Sequence, residues 1–310
     1  MKSTSSSPLG LKLDIADVLE NSPPELDFVL PGLPAGAVGM LAGAGGVGKT
    51  MFELQLAVVL AAGLPWRLAP LSALLEFDEE RSPERVLLLL AEESNAVVWR
   101  RLHAVMAHIV RCGLFDCGLT AADVKARLAE NLVIHAVAGS RRLQLLDDVL
   151  QAGEHYPALM AAADGTRLVI VDPIRQLHVA NENESGAMSA LVSVLKRLAH
   201  DTGAAVVCAH HASRAAGQFG FSESADASRG STALVDDTRW VVTLSEPSRE
   251  RLKSLGVADG QPEGYAVLSA AKMNYIARPA AALLRREPSG ALCVVERTSK
   301  AARLPNGSPR

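Results

Sequence analysis

The chain has 310 residues, which is enough for one large α/β domain or two small ones. Its 31 basic and 34 acidic residues nearly balance, so the overall charge does not support a broad basic face that coats duplex nucleic acid. Apolar residues make up 49% of the chain, yet no apolar run approaches the roughly 18 residues of a membrane span.

The first half of the chain alternates short apolar runs with longer helical patterns, which favours a mostly parallel sheet covered by helices. A Ser-rich start is followed by a short helix predicted near residues 13–19, and a turn-rich stretch leads to residue 36. A polar, Pro-containing connection is expected over residues 63–84. The predicted strands are 37–42, 85–91 and 131–137, and the predicted helices are 51–62, about 96–110 and around 143–163.

The second half begins with strands predicted at 166–173 and 203–210, separated by an amphipathic helix at 186–200. Residues 212–230 have no periodicity and are rich in Ala, Gly and Ser, and a loop of that length inside a domain is usually functional or mobile. Further strands or hairpins are expected at 240–244, 265–271, 280–284 and 290–295. The basic tail after residue 297 is expected to be flexible.

The N-terminus lacks the apolar core of a signal peptide, so we expect a cytoplasmic protein with no membrane partner. The four cysteines show no zinc-binding spacing, and we expect reduced thiols and no metal other than Mg²⁺ carried with a nucleotide.

Residues 43–50 match G-x-x-x-x-G-K-[ST], the phosphate-binding loop, between a predicted strand and a predicted helix. The glycines let successive N–H groups face phosphate oxygens, Lys49 can reach the β- and γ-phosphates, and the Thr50 hydroxyl can ligate Mg²⁺. The pattern predicts a site for a nucleoside triphosphate. Its members, with the next residue of the helix, are Gly43, Ala44, Gly45, Gly46, Val47, Gly48, Lys49, Thr50 and Met51.

Polar residues also follow three other predicted strands, and strand ends of a parallel sheet meet at one edge. Asp172 ends an apolar run in the manner of a Walker B acid and is predicted to orient Mg²⁺. Glu92 or Glu93 is a candidate for polarising the attacking water, with a solvated acidic loop as an equal alternative. His210 or His211 could contact the γ-phosphate, although a lone histidine more often has no chemical role.

Missing motifs narrow the class of NTPase. The sequence has no N-K-x-D segment, which argues against a small GTPase, and no L-S-G-G-Q-like run, which argues against a transporter ATPase. The glycine pattern also differs from that of a dinucleotide-binding enzyme.

The ordered set of motifs resembles RecA-type hexameric motors, and specifically the RepA replicative helicases of broad-host-range plasmids. The resemblance runs from about residue 13 to residue 297. This sequence differs from the family at Gln176, where the plasmid proteins tend to carry a second basic residue. The matching segments are 26–31, 43–50, 91–93, 101–103, 171–172, Arg175, 210–213, 227–231, Asp236, 239–240 and 272–275.

The resemblance implies a RecA-like core at 36–297, an N-terminal extension at 1–35 that is flexible or contacts another subunit, and a flexible tail at 298–310. Glu92 would be the catalytic carboxylate and His210, or its neighbour His211, would report the γ-phosphate. Arg229 would be an arginine finger in the site of the neighbouring subunit, although without the resemblance it reads as a surface arginine. Arg101 and Lys272 match family positions near the nucleotide.

Two loops, at 177–185 and 213–227, would face the channel of the ring. Arg214 would contact a DNA phosphate, and Phe219 or Phe221 would stack on a base of single-stranded DNA. The alternative for each of these residues is that it belongs to an ordinary surface loop without a role in DNA binding. Residues 1–35 are too few for a primase-interaction domain, so a replication initiator or primase would have to contact the motor itself.

The sequence therefore predicts an α/β protein with a RecA-like P-loop core, a mostly parallel twisted sheet and C-terminal antiparallel strands. The predicted function is an ATP- and Mg²⁺-dependent hexameric DNA helicase, and family analogy implies 5′→3′ movement. Two alternatives stay open: a DNA-stimulated ATPase of recombination, repair or partition that does not unwind, and an NTP switch that binds protein partners. A small-molecule kinase is weaker, because no Arg-rich lid is evident.

Overall fold

A computed structural model of the protein describes residues 12–78, 80–138, 143–147, 149–178, 184–211, 234–257 and 260–295. The helices that lie wholly within these ranges are α1 Ile15–Glu20, α2 Lys49–Ala62, α3 Asn95–Arg111, α4 Ala121–Asn131, α5 Tyr156–Ala163, α6 Ser185–Thr202 and α7 Arg249–Ser254. The strands are β1 Phe28–Leu30, β2 Leu33–Pro34, β3 Val38–Gly43, β4 Val86–Leu90, β5 Leu132–Ala136, β6 Leu168–Asp172, β7 Ala205–His211, β8 Trp240–Ser245, β9 Tyr265–Met273, β10 Ala282–Arg286 and β11 Leu292–Val294.

The described residues form a nine-stranded sheet in the order β11-β10-β9-β8-β3-β7-β6-β4-β5, beside a small β1–β2 hairpin. The strands from β8 to β5 in this order are parallel, and β9, β10 and β11 extend the sheet in antiparallel fashion. The predicted fold class, with its mostly parallel sheet and C-terminal antiparallel strands, is confirmed. Strand β3 lies between β7 and β8, so the residues that follow it emerge at the centre of one sheet edge.

The two faces of the sheet bury different sets of side chains, because successive residues of a strand point to opposite sides. Leu88, Leu90, Ile170 and Val207 share a core with α2. Their strand neighbours Leu89, Val171 and Cys208 pack with α5 and α6 on the other face. Within each strand, this alternation decides which residues face the α2 side.

The segment predicted as one helix around residues 143–163 is helical only over α5. Before α5, the Asp147 carboxylate accepts hydrogen bonds from the N–H groups of Val149 and Gln151. Leu146 forms bridges with Ala152 and with His178. The side chain of Asp147 thus stabilises a turn in place of a helix. The spacing of apolar residues alone does not predict this turn.

The connection at residues 63–84 is less polar than predicted. It contains two short 3₁₀ segments, Trp66–Leu68 and Pro70–Ala73, whose apolar residues join the core on the α2 side. Trp66 is buried and its Nε1 donates to the carbonyl of Leu75 at 2.7 Å, which satisfies the polar atom of the indole. Helices α4 and α7 were not predicted.

Candidate active site

The phosphate-binding loop joins β3 to α2, as the motif predicts. Gly46 and Gly48 have φ values of +76° and +104°, a region that side chains other than glycine rarely adopt. Gly48 is the N-terminal cap of α2 and no side chain caps the helix there. The first N–H groups of α2 are therefore directed at the space beyond the loop, where the helix end attracts an anion.

Lys49 lies at the start of α2 and is only 5% exposed. Its Nζ donates to the carbonyls of Gly43 at 2.9 Å and Ala44 at 3.1 Å, and lies 3.2 Å from His211 Nδ1. Burial lowers the pKa of Lys49, and the nearby carboxyls of Asp172, Glu53 and Glu92 oppose that shift. The ammonium is thus held within the phosphate loop, among acidic groups.

Thr50 and Asp172 meet at the same edge. Thr50 Oγ1 donates to Asp172 Oδ2 at 2.6 Å, and Asp172 is 6% exposed at the end of β6. A hydroxyl and a carboxylate are oxygen ligands of the kind Mg²⁺ takes together with nucleotide phosphates. Their direct contact fits the predicted Mg²⁺ pair.

Glu92 and Glu93 point in different directions. Glu92 Oε1 accepts from Gln176 Nε2 at 3.3 Å, and its Oε2 lies 3.7 Å from His211 Nε2. Glu93 Oε1 instead pairs with Arg101 Nη2 at 2.6 Å. Glu92 therefore faces the site, while Glu93 ties the strand end to α3.

The two histidines at the end of β7 lie on opposite faces of the sheet. His211 lies between Lys49 and Glu92. His210 is buried, and burial, followed by the charges of His211, Lys49 and His178, lowers its pKa to about 4. His210, the first choice from the sequence, is therefore a neutral buried histidine, and His211 is the one that reaches the phosphate-loop lysine.

Two residues at the site were missed by sequence reasoning. Glu53, one turn after Lys49 in α2, is 1% exposed, and burial and then the charge of Asp172 raise its pKa well above the ordinary value. Arg286, at the end of β10, donates to the carbonyls of Gly46 at 3.3 Å and Val47 at 2.9 Å. A glutamate at an otherwise apolar helix position could have drawn attention to Glu53, whereas no local pattern marks Arg286.

Residues 5–217 match the sequence profile of a family described as AAA domain, and this span is more than half of the 310 residues. The chain belongs to the AAA domain family. That membership supports a nucleotide-binding ATPase, in agreement with the phosphate loop and with the acids that face it.

Solved structures show the same fold as this AAA domain protein. One described as an ATPase domain gives a TM-score of 0.52 at 16% identity, with 84% of this chain and 85% of that one covered. A DnaB-like replicative helicase, solved for its interactions with primase, gives 0.53 at 15% identity, and the match covers 84% of this chain but 58% of that one. A KaiC-like protein from the archaeon Pyrococcus horikoshii OT3 gives 0.51 at 15% identity, covering 85% and 91%. The shared fold is that of RecA-like ATPases.

The remaining predicted residues of the AAA domain protein are spread more widely. Val47 and Met51 pack their side chains into the core on the α2 side, so the loop contributes their backbone to the site. Lys272 Nζ donates to the carbonyls of Val235 at 3.0 Å and Asp236 at 2.9 Å, which ties β9 to the segment before β8.

The predicted DNA-contacting residues Arg214, Phe219 and Phe221 and the predicted finger Arg229 lie outside the described residues. The loop predicted at 177–185 is described only at its two ends. Within the described ranges, no helix combines the length and the apolar character needed to cross a membrane.

Proposed function

We propose that this chain is the motor subunit of a ring-shaped replicative DNA helicase, which hydrolyses ATP, moves along single-stranded DNA and separates the duplex. The ATPase part of the proposal rests on one observation. Five side chains lie together at the central edge of the parallel sheet, namely Lys49, Thr50, Asp172, Glu92 and His211. They come from four different segments, and each has a chemical use in phosphoryl transfer.

Each group has one task in this proposal. The N–H groups at the start of α2 and the Lys49 ammonium bind the phosphates, and Thr50 and Asp172 hold the Mg²⁺ that neutralises charge on the phosphate oxygens. Glu92 accepts the proton of the attacking water, and Gln176 orients its carboxylate through Oε1. His211, between Lys49 and Glu92, senses whether a γ-phosphate occupies the position next to Lys49.

The ring belongs to the proposal because hydrolysis by motors of this class uses an arginine that stabilises the negative charge on the γ-phosphate. The resemblance to the plasmid helicases assigns that arginine to Arg229 of a neighbouring subunit, in a hexamer. It also places Arg214 and Phe219 or Phe221 on a loop that contacts single-stranded DNA. A finger supplied in trans makes hydrolysis depend on assembly.

One experiment separates this function from its rivals. ATP turnover by the wild-type chain is measured with and without single-stranded DNA, particle size is measured by light scattering, and strand separation is measured on a forked and an unforked duplex. A helicase gives DNA-stimulated turnover by ring-sized particles and separates the fork. We expect the fork to be separated in the 5′→3′ direction.

The second candidate is a DNA-stimulated ATPase of recombination, repair or partition, which the fold alone fits equally well. It gives DNA-stimulated turnover without strand separation on either substrate. An ATP switch for protein partners gives turnover that single-stranded DNA leaves unchanged. Either result contradicts the helicase proposal.

A further inference from the structure

Arg286 contacts the phosphate loop from the side of the C-terminal strands. Its Nη2 donates to the Val47 carbonyl at 2.9 Å and its Nη1 to the Gly46 carbonyl at 3.3 Å. The two accepting carbonyls are adjacent in the chain, so the planar guanidinium binds them as a fork. The Nε of Arg286 is buried without a hydrogen-bond partner, and the contact therefore carries a desolvation cost that the two loop bonds offset.

This contact constrains the direction of the loop N–H groups. A trans peptide unit is planar, and its C=O and N–H point in opposite directions. Fixing the Val47 carbonyl on Arg286 therefore turns the N–H of Gly48 away from the guanidinium, towards the side of the loop where α2 begins. A cation on the carbonyl side also polarises the peptide, which makes its N–H a stronger donor to a phosphate oxygen.

The hairpin that carries Arg286 is itself anchored to α2. The Gln55 side chain binds both backbone groups of Leu292, donating from Nε2 at 2.9 Å and accepting at Oε1 at 2.8 Å, inside the core. The Leu292 side chain packs near Gly48, where an added Cβ would lie 3.7 Å from it. The guanidinium is thus presented to the loop by a strand pair fixed to the same helix.

The next residue of the hairpin ties it to α3. Glu287 Oε1 lies 3.0 Å from His108 Nδ1, and Glu287 Oε2 accepts from Arg111. Burial alone would raise the pKa of Glu287, but the hydrogen bond from His108 and the charges of His108 and Arg111 lower it on balance. The Glu287 carboxylate is therefore ionised beside its partners. The end of β10 that bears Arg286 is thus attached to α2 through Leu292 and to α3 through Glu287.

From these contacts we infer that Arg286 is a positioning residue for nucleotide binding. Its guanidinium binds the carbonyl side of the phosphate loop, so that the loop N–H groups on the other side bind the β-phosphate of a nucleoside diphosphate or triphosphate. This inference rests on the proposed ATPase site and assigns that site one more residue, which touches the loop backbone and not the nucleotide. Because the loop contacts the bound phosphates before and during hydrolysis alike, Arg286 affects binding more than the chemical step.

The test compares Arg286→Gln, Arg286→Lys and Arg285→Gln in the full chain. Arg285 is the matched control, since it is exposed and, as the neighbouring residue of β10, points to the opposite face of the sheet. Binding of Mg²⁺-ADP and of AMP is measured by calorimetry, and KM and kcat for ATP are measured without DNA. Thermal unfolding of each variant reports whether it is folded.

We expect Arg286→Gln to weaken ADP binding about tenfold and to raise the KM for ATP by a similar factor, with kcat within about twofold of wild type. Binding of AMP, which has no β-phosphate, should change much less, so the ratio of ADP to AMP affinity falls. Arg286→Lys keeps the cation without the fork and should lose about threefold. Arg285→Gln should match the wild type.

Several results would overturn the inference. They are unchanged ADP affinity in Arg286→Gln, an equal loss in Arg285→Gln, and an equal loss for ADP and AMP. If Arg286→Gln does not fold, Arg286→Lys decides, because wild-type ADP affinity in that variant rules out a need for the fork. Failure to separate a fork would remove the helicase proposal and leave the Arg286 result standing, whereas normal unwinding with unaltered ADP binding would remove only the inference.

Discussion

Thr50 Oγ1 donates a 2.6 Å hydrogen bond to Asp172 Oδ2, across 122 positions of sequence. The first residue belongs to the opening turn of α2 and the second ends β6. Strand β7 separates β6 from β3 in the sheet, so the contact depends on the order in which the parallel strands are arranged. It brings the two predicted Mg²⁺ ligands together.

Thr50→Val tests this pair, because valine keeps the shape of threonine and removes only the hydroxyl. We expect ATP turnover to fall about 100-fold, since a ligand of the charge-neutralising ion is lost, and a higher Mg²⁺ concentration to recover part of it. Steady-state turnover across a Mg²⁺ titration measures both effects. Thr243→Val, in β8, is the control and should keep the wild-type Mg²⁺ dependence.

Much of this edge was predictable, and the reason is the regularity of parallel sheets. The phosphate loop marks one strand end, and apolar runs followed by acids or histidines mark three others. Because side chains alternate along each strand, Asp172 and His211, which end β6 and β7, share the α2 side with the core residues Ile170 and Val207. The sequence was therefore sufficient to predict which segments meet at this edge of the sheet.

The sequence could not show which residue of each segment enters the site, because that depends on local contacts. Glu92 and Glu93 both follow β4, and the contacts of Glu92 with His211 and of Glu93 with Arg101 on α3 show which one faces the site. His210 and His211 differ only in the face they occupy. Arg286 reaches Gly46 across 240 positions, through an antiparallel strand whose place in the sheet no motif indicates.

Glu92→Gln and Glu93→Gln form a matched pair that tests the orientation of the two acids. Glu92→Gln should lower turnover by at least about 100-fold, because the amide cannot accept a proton from water, while ATP binding is retained. Glu93→Gln should keep turnover within about threefold of wild type, since it weakens only an ion pair with Arg101 that is partly open to solvent. Turnover and ATP affinity are measured for both. The reverse ranking would show that Glu93 is the proton acceptor.

Arg229→Ala tests the proposed finger through complementation between subunits. Alone, this variant should bind ATP, assemble into particles of wild-type size and lose turnover, and Lys49→Ala should also lose turnover. In a one-to-one mixture, a site with intact Lys49 next to a subunit with intact Arg229 is complete, so turnover should recover to about a quarter of wild type in a head-to-tail ring whose subunits assort at random. Full turnover by Arg229→Ala alone would contradict a finger in trans.

His210 should make the stability of the protein depend on pH. Its folded pKa is about 4, against 6.5 for the free side chain, with burial as the first cause and the neighbouring His211, Lys49 and His178 adding to it. The unfolded chain therefore binds a proton as the pH falls below 6.5, while the folded chain resists doing so until about pH 4. Stability is present at neutral pH and is lost on acidification between these values.

His210→Gln removes the titrating group and leaves a neutral polar side chain. From the two pKa values, His210 should account for a loss of about 2 kcal/mol in the free energy of unfolding between pH 7 and pH 5. The variant should lack that part of the loss, whatever its stability at pH 7. Urea unfolding at both pH values, with wild type and variant compared at each, cancels the contributions of all other groups. His135→Gln, on the exposed side of edge strand β5, is the control and should follow the wild type. An identical pH dependence in wild type and His210→Gln would mean that His210 is charged, or exposed to water, in the folded protein.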